Sequence, residues 1–195
     1  MVQDVIERFC RRAPAAVLFR GLFARVFSKE SLNQIFREHK ERQVESDLVF
    51  SSLIDLLTPV VSGSKPYVHT SYQELEEQLC VSKQAVYDKL RGVEPAVSAA
   101  LVNVPTQELE KAIHHAKATK PDPITGYHTF VIDGKRLDGT DHRLKETRLM
   151  KSAPLPGTVL AMLDTRLEMF VAVVCDPDAY ACERKVVLPL LEQLK

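Results

Sequence analysis

The chain has 195 residues, enough for one large domain or two small ones, and its 45% apolar content makes a buried core attainable and argues against general disorder. Lys plus Arg equal Asp plus Glu at 26 each, so no global charge points to nucleic acid, and such a partner has to be recognised by local charge. The four cysteines, Cys10, Cys80, Cys175 and Cys182, form no C-x-x-C pair, and no histidines have the H-E-x-x-H spacing, which argues against a zinc site or a disulfide framework and suits a reducing compartment.

The N-terminal MVQDVIERFCRR is amphipathic and charged, unlike a signal peptide, with Val5, Ile6 and Phe9 at helical spacing. No apolar run reaches the roughly 18 residues of a membrane helix. The expectation is a soluble cytoplasmic protein with no membrane partner. Val17, Leu18 and Leu22 follow Pro14 at helical spacing, and Ser31 with Gln34 reads as a capping box before Leu32, Ile35 and Phe36. From about Asp47 to Leu57, the residues Leu48, Val49, Phe50, Leu53, Ile54 and Leu57 predict a core helix, ending near Thr58-Pro59 before the loop SGSKP, 62–66. Ser71 and Glu74 form a second capping box, for a helix through Leu75 and Leu79. A short helix from about Ser82 to Leu90 closes at Arg91-Gly92. Another begins at Glu94-Pro95 and buries Val97, Ala100 and Leu101, and Thr106 is expected to cap a last helix through Leu109 and Ile113.

The composition then changes. KATKPDPITGY, 117–127, reads as a linker between a helical domain, 1–116, and a strand-bearing part, 128–195. HTFVID, 128–133, GTVLAMLDT, 157–165, and LEMFVAVVCD, 167–176, are predicted strands, the last two joined by a tight turn near Asp164 to Arg166. Their unbroken apolar runs predict strands covered on both faces. Val186, Val187, Leu190, Leu191 and Leu194 predict a closing helix despite Pro189. The fold class is therefore α+β.

YQELEEQLCVSKQAVYDKLRG, 72–92, has the pattern of a DNA-reading helix-turn-helix. Leu75 and Leu79 pack the first helix, Val81 sits in the turn, Ser82 caps the second helix, and Val86 and Leu90 bury its inner face. That reading leaves Lys83, Gln84, Tyr87 and Lys89 partly exposed, side chains suited to phosphates and base edges in a major groove. Cys80 stands where the turn usually holds glycine, and Glu76 where a small residue is usual. The alternative is an ordinary helical hairpin inside a bundle.

VIDGKRLDGTDHRLKETR, 131–148, crowds Asp133, Asp138 and Asp141 among Lys135, Arg136, His142, Arg143, Lys145 and Arg148. A carboxylate that ends an apolar strand before a glycine presents an acid at a sheet edge, and hard cations such as magnesium take oxygen ligands of this kind. Two magnesium ions about 3.5–4 Å apart can activate a water and stabilise the leaving oxygen of a phosphodiester, which requires several carboxylates. The plainer alternative is an aspartate in a D-G turn.

IDGKRLDGTDHRLKETR, followed by APLPGTVLAMLDTRLEMFVAVVCDPDAYACERKVVLPLL, resembles the start of the catalytic domain of insertion-sequence transposases of the IS-four group, DDE enzymes with a ribonuclease-H-like core. The matching residues are Asp133-Gly134, His142-Arg143-Leu144-Lys145-Glu146, Arg148, Leu155-Pro156-Gly157 and Glu183-Arg184. LVFSSLIDLL and VSKQAVYDKLRGVEPAVSAALV resemble that group's N-terminal region, so the resemblance covers nearly the whole chain. It implies a helical DNA-binding domain followed by the first strands and helix of the ribonuclease-H-like catalytic domain. It also implies that Asp133 is the first acid of the triad, sharing two magnesium ions with two further acids during DNA strand cleavage and joining. Mg2+ is then the cofactor of the complete enzyme and transposon-end DNA the partner, with a possible homodimer and no small-molecule substrate.

Lys135-Arg136 replace the family's usual N-H, and Asp138 stands where a small residue is common. Asp138 and Asp141 are read as loop residues, and Glu183 as a helix cap or an ion-pair partner of a basic side chain. In the family the second acid follows a fourth strand and the third lies on a later helix. No acid in 134–195 takes either place, so the expectation is the N-terminal portion of such an enzyme, with a sheet edge left open. Lys135, Arg136, Arg143, Lys145, Arg148 and Lys151 would hold the DNA backbone beside the site. The alternative there is a solvated loop with internal ion pairs to Asp138, Asp141 and Glu146. For the chain as a whole the alternatives are a non-catalytic DNA-binding regulator derived from a transposase, and a remnant that folds poorly.

Overall fold

The computed structural model describes residues 7–8, 10–137, 157–176 and 183–194. It is a mixed structure. Helices α1 (Pro14–Val26), α2 (Lys29–His39), α3 (Phe50–Val61), α4 (Val68–Leu79), α5 (Lys83–Arg91) and α6 (Pro95–His115) precede strands β1 (Phe130–Leu137), β2 (Gly157–Asp164) and β3 (Met169–Asp176), and α7 (Glu183–Leu191) follows. The α+β expectation agrees with this at the level of helices plus a three-stranded antiparallel sheet. Val5, Ile6 and Phe9 lie outside the described residues.

The helical core gathers Leu32 and Phe36 of α2, Phe50, Leu53 and Leu56 of α3, Tyr72 of α4, Val86 of α5 and Val97 of α6, together with Leu48. Leu53 and Leu56, one turn apart, are completely buried, as the apolar stripe of an amphipathic helix requires. α1 is different: Leu18, Phe19 and Phe23 stand exposed along it.

Three helix starts differ from expectation. α2 begins three residues early, at Lys29, because Ser28 is the cap and accepts the Ser31 amide at 3.2 Å, while Gln34 donates to Glu38 at 2.8 Å. α4 begins at Val68, so Ser71 is buried inside the helix and Glu74 turns outward to Lys65. Val68 packs on the core, and that contact extends the helix back past the serine. α3 starts behind Val49, which has no capping side chain. Asn33 of α2 supplies the cap instead, accepting the Ser51 amide at 2.8 Å and donating to the Ser51 hydroxyl at 3.1 Å. α3 also runs on through Pro59 to Val61.

α6 is one helix of 21 residues and passes through Pro105, where a break and a new start at Thr106 were expected. Thr106 caps nothing; its hydroxyl donates to the Phe170 carbonyl at 3.0 Å. One turn earlier the Asn103 side chain accepts the Val173 amide at 2.8 Å and donates to the Val173 carbonyl at 3.1 Å. A proline inside a helix costs about 3 kcal/mol. These three bonds hold that stretch of α6 along the outer edge of β3 and so favour the unbroken helix.

In the sheet β2 is central, β1 lies on one side and β3 on the other. Alternation along the strands sends Leu160, Met162 and Ala172 to one face, where Val186 and Leu190 of α7 cover them. Val131, Asp133 and Lys135 share the other face with Ala161 and Leu163 opposite them, and the three β1 side chains are exposed. The expectation of strands covered on both faces is therefore corrected for β1, whose side chains on that face are exposed, whereas on the same face Val173 of β3 is buried and Val159, Ala161 and Leu163 of β2 are half-buried. β1 also begins two residues later than expected and continues four further, to Leu137.

Candidate nucleic-acid interface and carboxylate site

Between α4 and α5, Cys80 has φ 51 and ψ 26, the left-handed conformation that the turn demands and that glycine usually supplies. The Tyr72 hydroxyl lies 2.8 Å from the Val81 carbonyl and 3.2 Å from the Glu76 carboxylate, which ties the turn to α4. Burial first, then the Glu76 carboxylate, push the Tyr72 phenol above its ordinary pKa. Ser82 caps α5 as expected, accepting the Ala85 amide at 3.2 Å. Cys80→Gly should relieve the left-handed strain and stabilise the protein by about 1 kcal/mol. Differential scanning calorimetry should then show a melting point higher by roughly 2–4 °C.

Of the four side chains expected on the outer face of α5, Lys83 and Gln84 are exposed and Tyr87 is half-buried. Lys89 is not partly exposed, as expected, but 7% accessible. Its ammonium donates to the Val44 carbonyl at 3.1 Å and sits 4.4 Å from the centre of the Phe36 ring, which stacks on Phe50. Burial, then the neighbouring Lys40 charge, hold its pKa below the ordinary lysine value. The signal for this was in the spacing: Lys89 follows Val86 by three residues and so shares its inward face. Arg91, passed over as a helix end, is exposed instead and lies 3.9 Å from Asp88, which also accepts from Gln84 at 2.8 Å. The outer face of α5 is thus Lys83, Gln84, Asp88 and Arg91.

The inner end of α5 is clamped to the loop between α2 and α3. Gln43 donates to the Lys89 carbonyl at 2.8 Å, and Glu94 accepts the amides of Glu41 and Arg42 at 2.6 and 2.7 Å. Gly92 closes the helix as expected, but with φ −85 it is not left-handed. An added Cβ there would lie 3.3 Å from the Asp88 carbonyl and 2.5 Å from Gln43 Nε2, the end of a side chain that would have to shift off the Lys89 carbonyl.

Asp133 is exposed, and it is the fourth residue of an eight-residue strand rather than its end. Its Oδ1 accepts the Gly134 amide at 3.0 Å. Alternation puts Lys135 on the same face as Asp133 and Arg136 on the opposite one. Asp138, Asp141, Arg143, Lys145, Arg148 and Lys151 lie outside the described residues. Glu183 opens α7, and its side chain also lies outside them. Among the described residues no group of three or more His, Cys, Asp or Glu side chains converges on one point. Asp133 offers one carboxylate, which does not meet the needs of a two-metal centre.

A second acid escaped the sequence reading except as a turn residue. Asp164 is 3% exposed at the end of β2. Its Oδ1 accepts the amides of Arg166 and Leu167 at 2.7 and 3.3 Å, and its Oδ2 lies 2.8 Å from His128 Nε2. Lys120 bonds the Arg166 carbonyl through its amide at 2.9 Å and Glu168 through its ammonium at 2.5 Å. These contacts fasten 120–128 to the β2–β3 turn, so Asp164 is a structural carboxylate.

Comparison with family models, with curated proteins and with solved structures gives no match. No helix among the described residues is long and apolar enough to cross a membrane.

Proposed function

We propose that this chain is the DNA-binding and first catalytic portion of an insertion-sequence DDE transposase. The helical part engages transposon-end DNA, and 128–195 make up the start of a ribonuclease-H-like domain. The observation that carries this reading is the placement of Lys83 and Gln84, exposed on the first turn of a capped helix that follows a left-handed turn at Cys80. Lys83 and Arg91 hold phosphates, and Gln84 and Tyr87 approach base edges. Lys89, directed inward, stabilises the reading helix from behind. Lys135 and Arg136, with Arg143, Lys145 and Arg148 of the same stretch, contact the DNA backbone. Three antiparallel strands followed by a helix are compatible with the opening of such a catalytic domain.

Asp133 would give magnesium one oxygen ligand in the complete enzyme, and magnesium there supplies the charge that activates a water and stabilises the leaving oxygen. The other acids of that centre lie outside this chain in this reading, so the chain binds DNA without cutting it. The isolation of Asp133 among the described residues equally favours the second reading, a DNA-binding regulator in which Asp133 has no chemical role.

Fluorescence anisotropy with a duplex carrying a transposon end, between about 50 and 200 mM salt, tests the shared part. Lys83→Ala should weaken binding and lower the slope of log affinity against log salt by about 1. A slope unchanged in Lys83→Ala removes α5 from the interface. Magnesium-dependent nicking by the chain alone, lost in Asp133→Ala, would refute the single-acid reading.

A further inference from the structure

A cleft lies between α2, the α2–α3 loop, the start of α3 and the end of α5. Asn33 and Arg37 stand four residues apart on α2 and so share the helix face that lines it. Its floor is Phe36, Leu48, Phe50 and Lys89, all buried, with the Phe36 and Phe50 rings stacked 4.9 Å apart. Its mouth is Arg37, Glu45, Ser46 and Val49, all exposed. The room inside is about 80 Å³, enough for about three water-sized groups at roughly 30 Å³ each. Two cations reach this space. The Lys89 ammonium, 4.4 Å from the centre of the Phe36 ring, bonds the Val44 carbonyl with one of its three N–H groups. The Arg37 guanidinium makes no hydrogen bond or ion pair among the described residues. The acid of the lining, Glu45, lies 3.6 Å from Lys40, whose ammonium is itself 5.5 Å from the Phe36 ring. Burial first, then the Lys40 charge, lower the Lys89 pKa, and Glu45 does not make up the difference. The floor is therefore left with a positive field that one carboxylate of the chain does not compensate.

We propose that this cleft binds a small monocarboxylate with a short apolar tail, its carboxylate held by Arg37 and Lys89 and its tail laid on the Phe36–Phe50 stack and Leu48. The planar guanidinium fork matches a carboxylate with two parallel hydrogen bonds, and Arg37 has that fork free. Lys89 has N–H groups to spare, and a buried ammonium gains from an anion brought beside it. The aromatic and aliphatic floor selects among anions. A phosphate or sulfate, charged on every side, has no apolar part to lay there, whereas a carboxylate of two or three carbons has one. The volume sets the upper limit on the tail, which leaves by the open mouth if longer. The cleft touches α5 from behind, at Lys89, so the inference holds whether or not the outer face of α5 reads DNA.

Sodium propionate titrated into the isotope-labelled whole chain should give saturable amide NMR shifts with a Kd on the order of millimolar, the range open to so few atoms. The shifts should centre on α2, residues 44–50 and the end of α5. Propionamide lacks the charge, and sodium phosphate at equal ionic strength lacks the tail; each should bind at least about tenfold more weakly. Arg37→Gln changes an exposed side chain, so it should keep the fold and raise the propionate Kd about tenfold. Lys89→Met, which keeps an apolar stem, should weaken propionate by a similar factor. The proposal is overturned by the absence of saturable shifts at about 50 mM propionate, far above the expected Kd. It is equally overturned by phosphate or propionamide binding as tightly as propionate, by shifts centred elsewhere, or by an Arg37→Gln chain that binds propionate unchanged.

Discussion

Lys89→Ala is expected to destabilise the protein by about 2–4 kcal/mol while leaving the salt slope of DNA binding unchanged, the reverse of Lys83→Ala. The methylene stem of Lys89 is buried in the helical core, and each buried methylene is worth about 0.8 kcal/mol. Its ammonium over Phe36 adds roughly 1–2 kcal/mol more, and the bond to Val44 fixes the α2–α3 loop. Alanine loses all three. Urea titration of the two variants beside anisotropy at several salt concentrations separates the roles, and a stable Lys89→Ala protein with a shallower salt slope would return Lys89 to the interface.

The same residue sets a pH signature. Burial lowers the native pKa of Lys89 below the ordinary 10.5, which the unfolded chain retains. Between those two values the unfolded state binds more protons than the native state, so the contribution of Lys89 to stability rises with pH across that window. Lys89→Met keeps an apolar stem and has no charge to lose. Its stability relative to the parent should fall as pH climbs toward 10.5, as read from urea midpoints taken along an alkaline series.

The second large effect is at Asp164. Asp164→Ala should cost about 3–4 kcal/mol, and Asp164→Asn only about 1–2. The carboxylate is nearly fully buried and satisfies two turn amides, one of them the amide of buried Leu167, together with His128. Each buried polar group left unpaired costs roughly 1–3 kcal/mol. Asparagine keeps an oxygen for the turn amides and loses only the charge facing His128. Equal losses in the two variants would mean that the His128 contact, rather than the turn, carries the stability.

Much of this architecture was legible from local pattern. Ser82, Val86 and Pro95 are where capping and helical spacing place them, and the three apolar strands fall in their predicted order. The candidate interface was half legible. Lys83 and Gln84 face outward as read, whereas Lys89 faces in, misassigned because residue type was weighed above position on the helix, and Arg91, read only as the helix end, faces out. For Asp133 the residue pattern located the acid on a strand but not its mid-strand position, since the end of an apolar run does not mark the end of hydrogen bonding.

By itself the sequence determined what acts within one helical turn or one strand: periodicity, the Ser82 cap, and the left-handed demand on the residue before Val81. Tertiary structure alone decided that Lys89 meets Val44, 45 residues away, and that Asn103 holds Val173, 70 residues away. Through such contacts α6 survives Pro105 and the outer edge of β3 is closed. Backbone groups and buried charges must find partners wherever the chain brings them, and no local rule reaches that far.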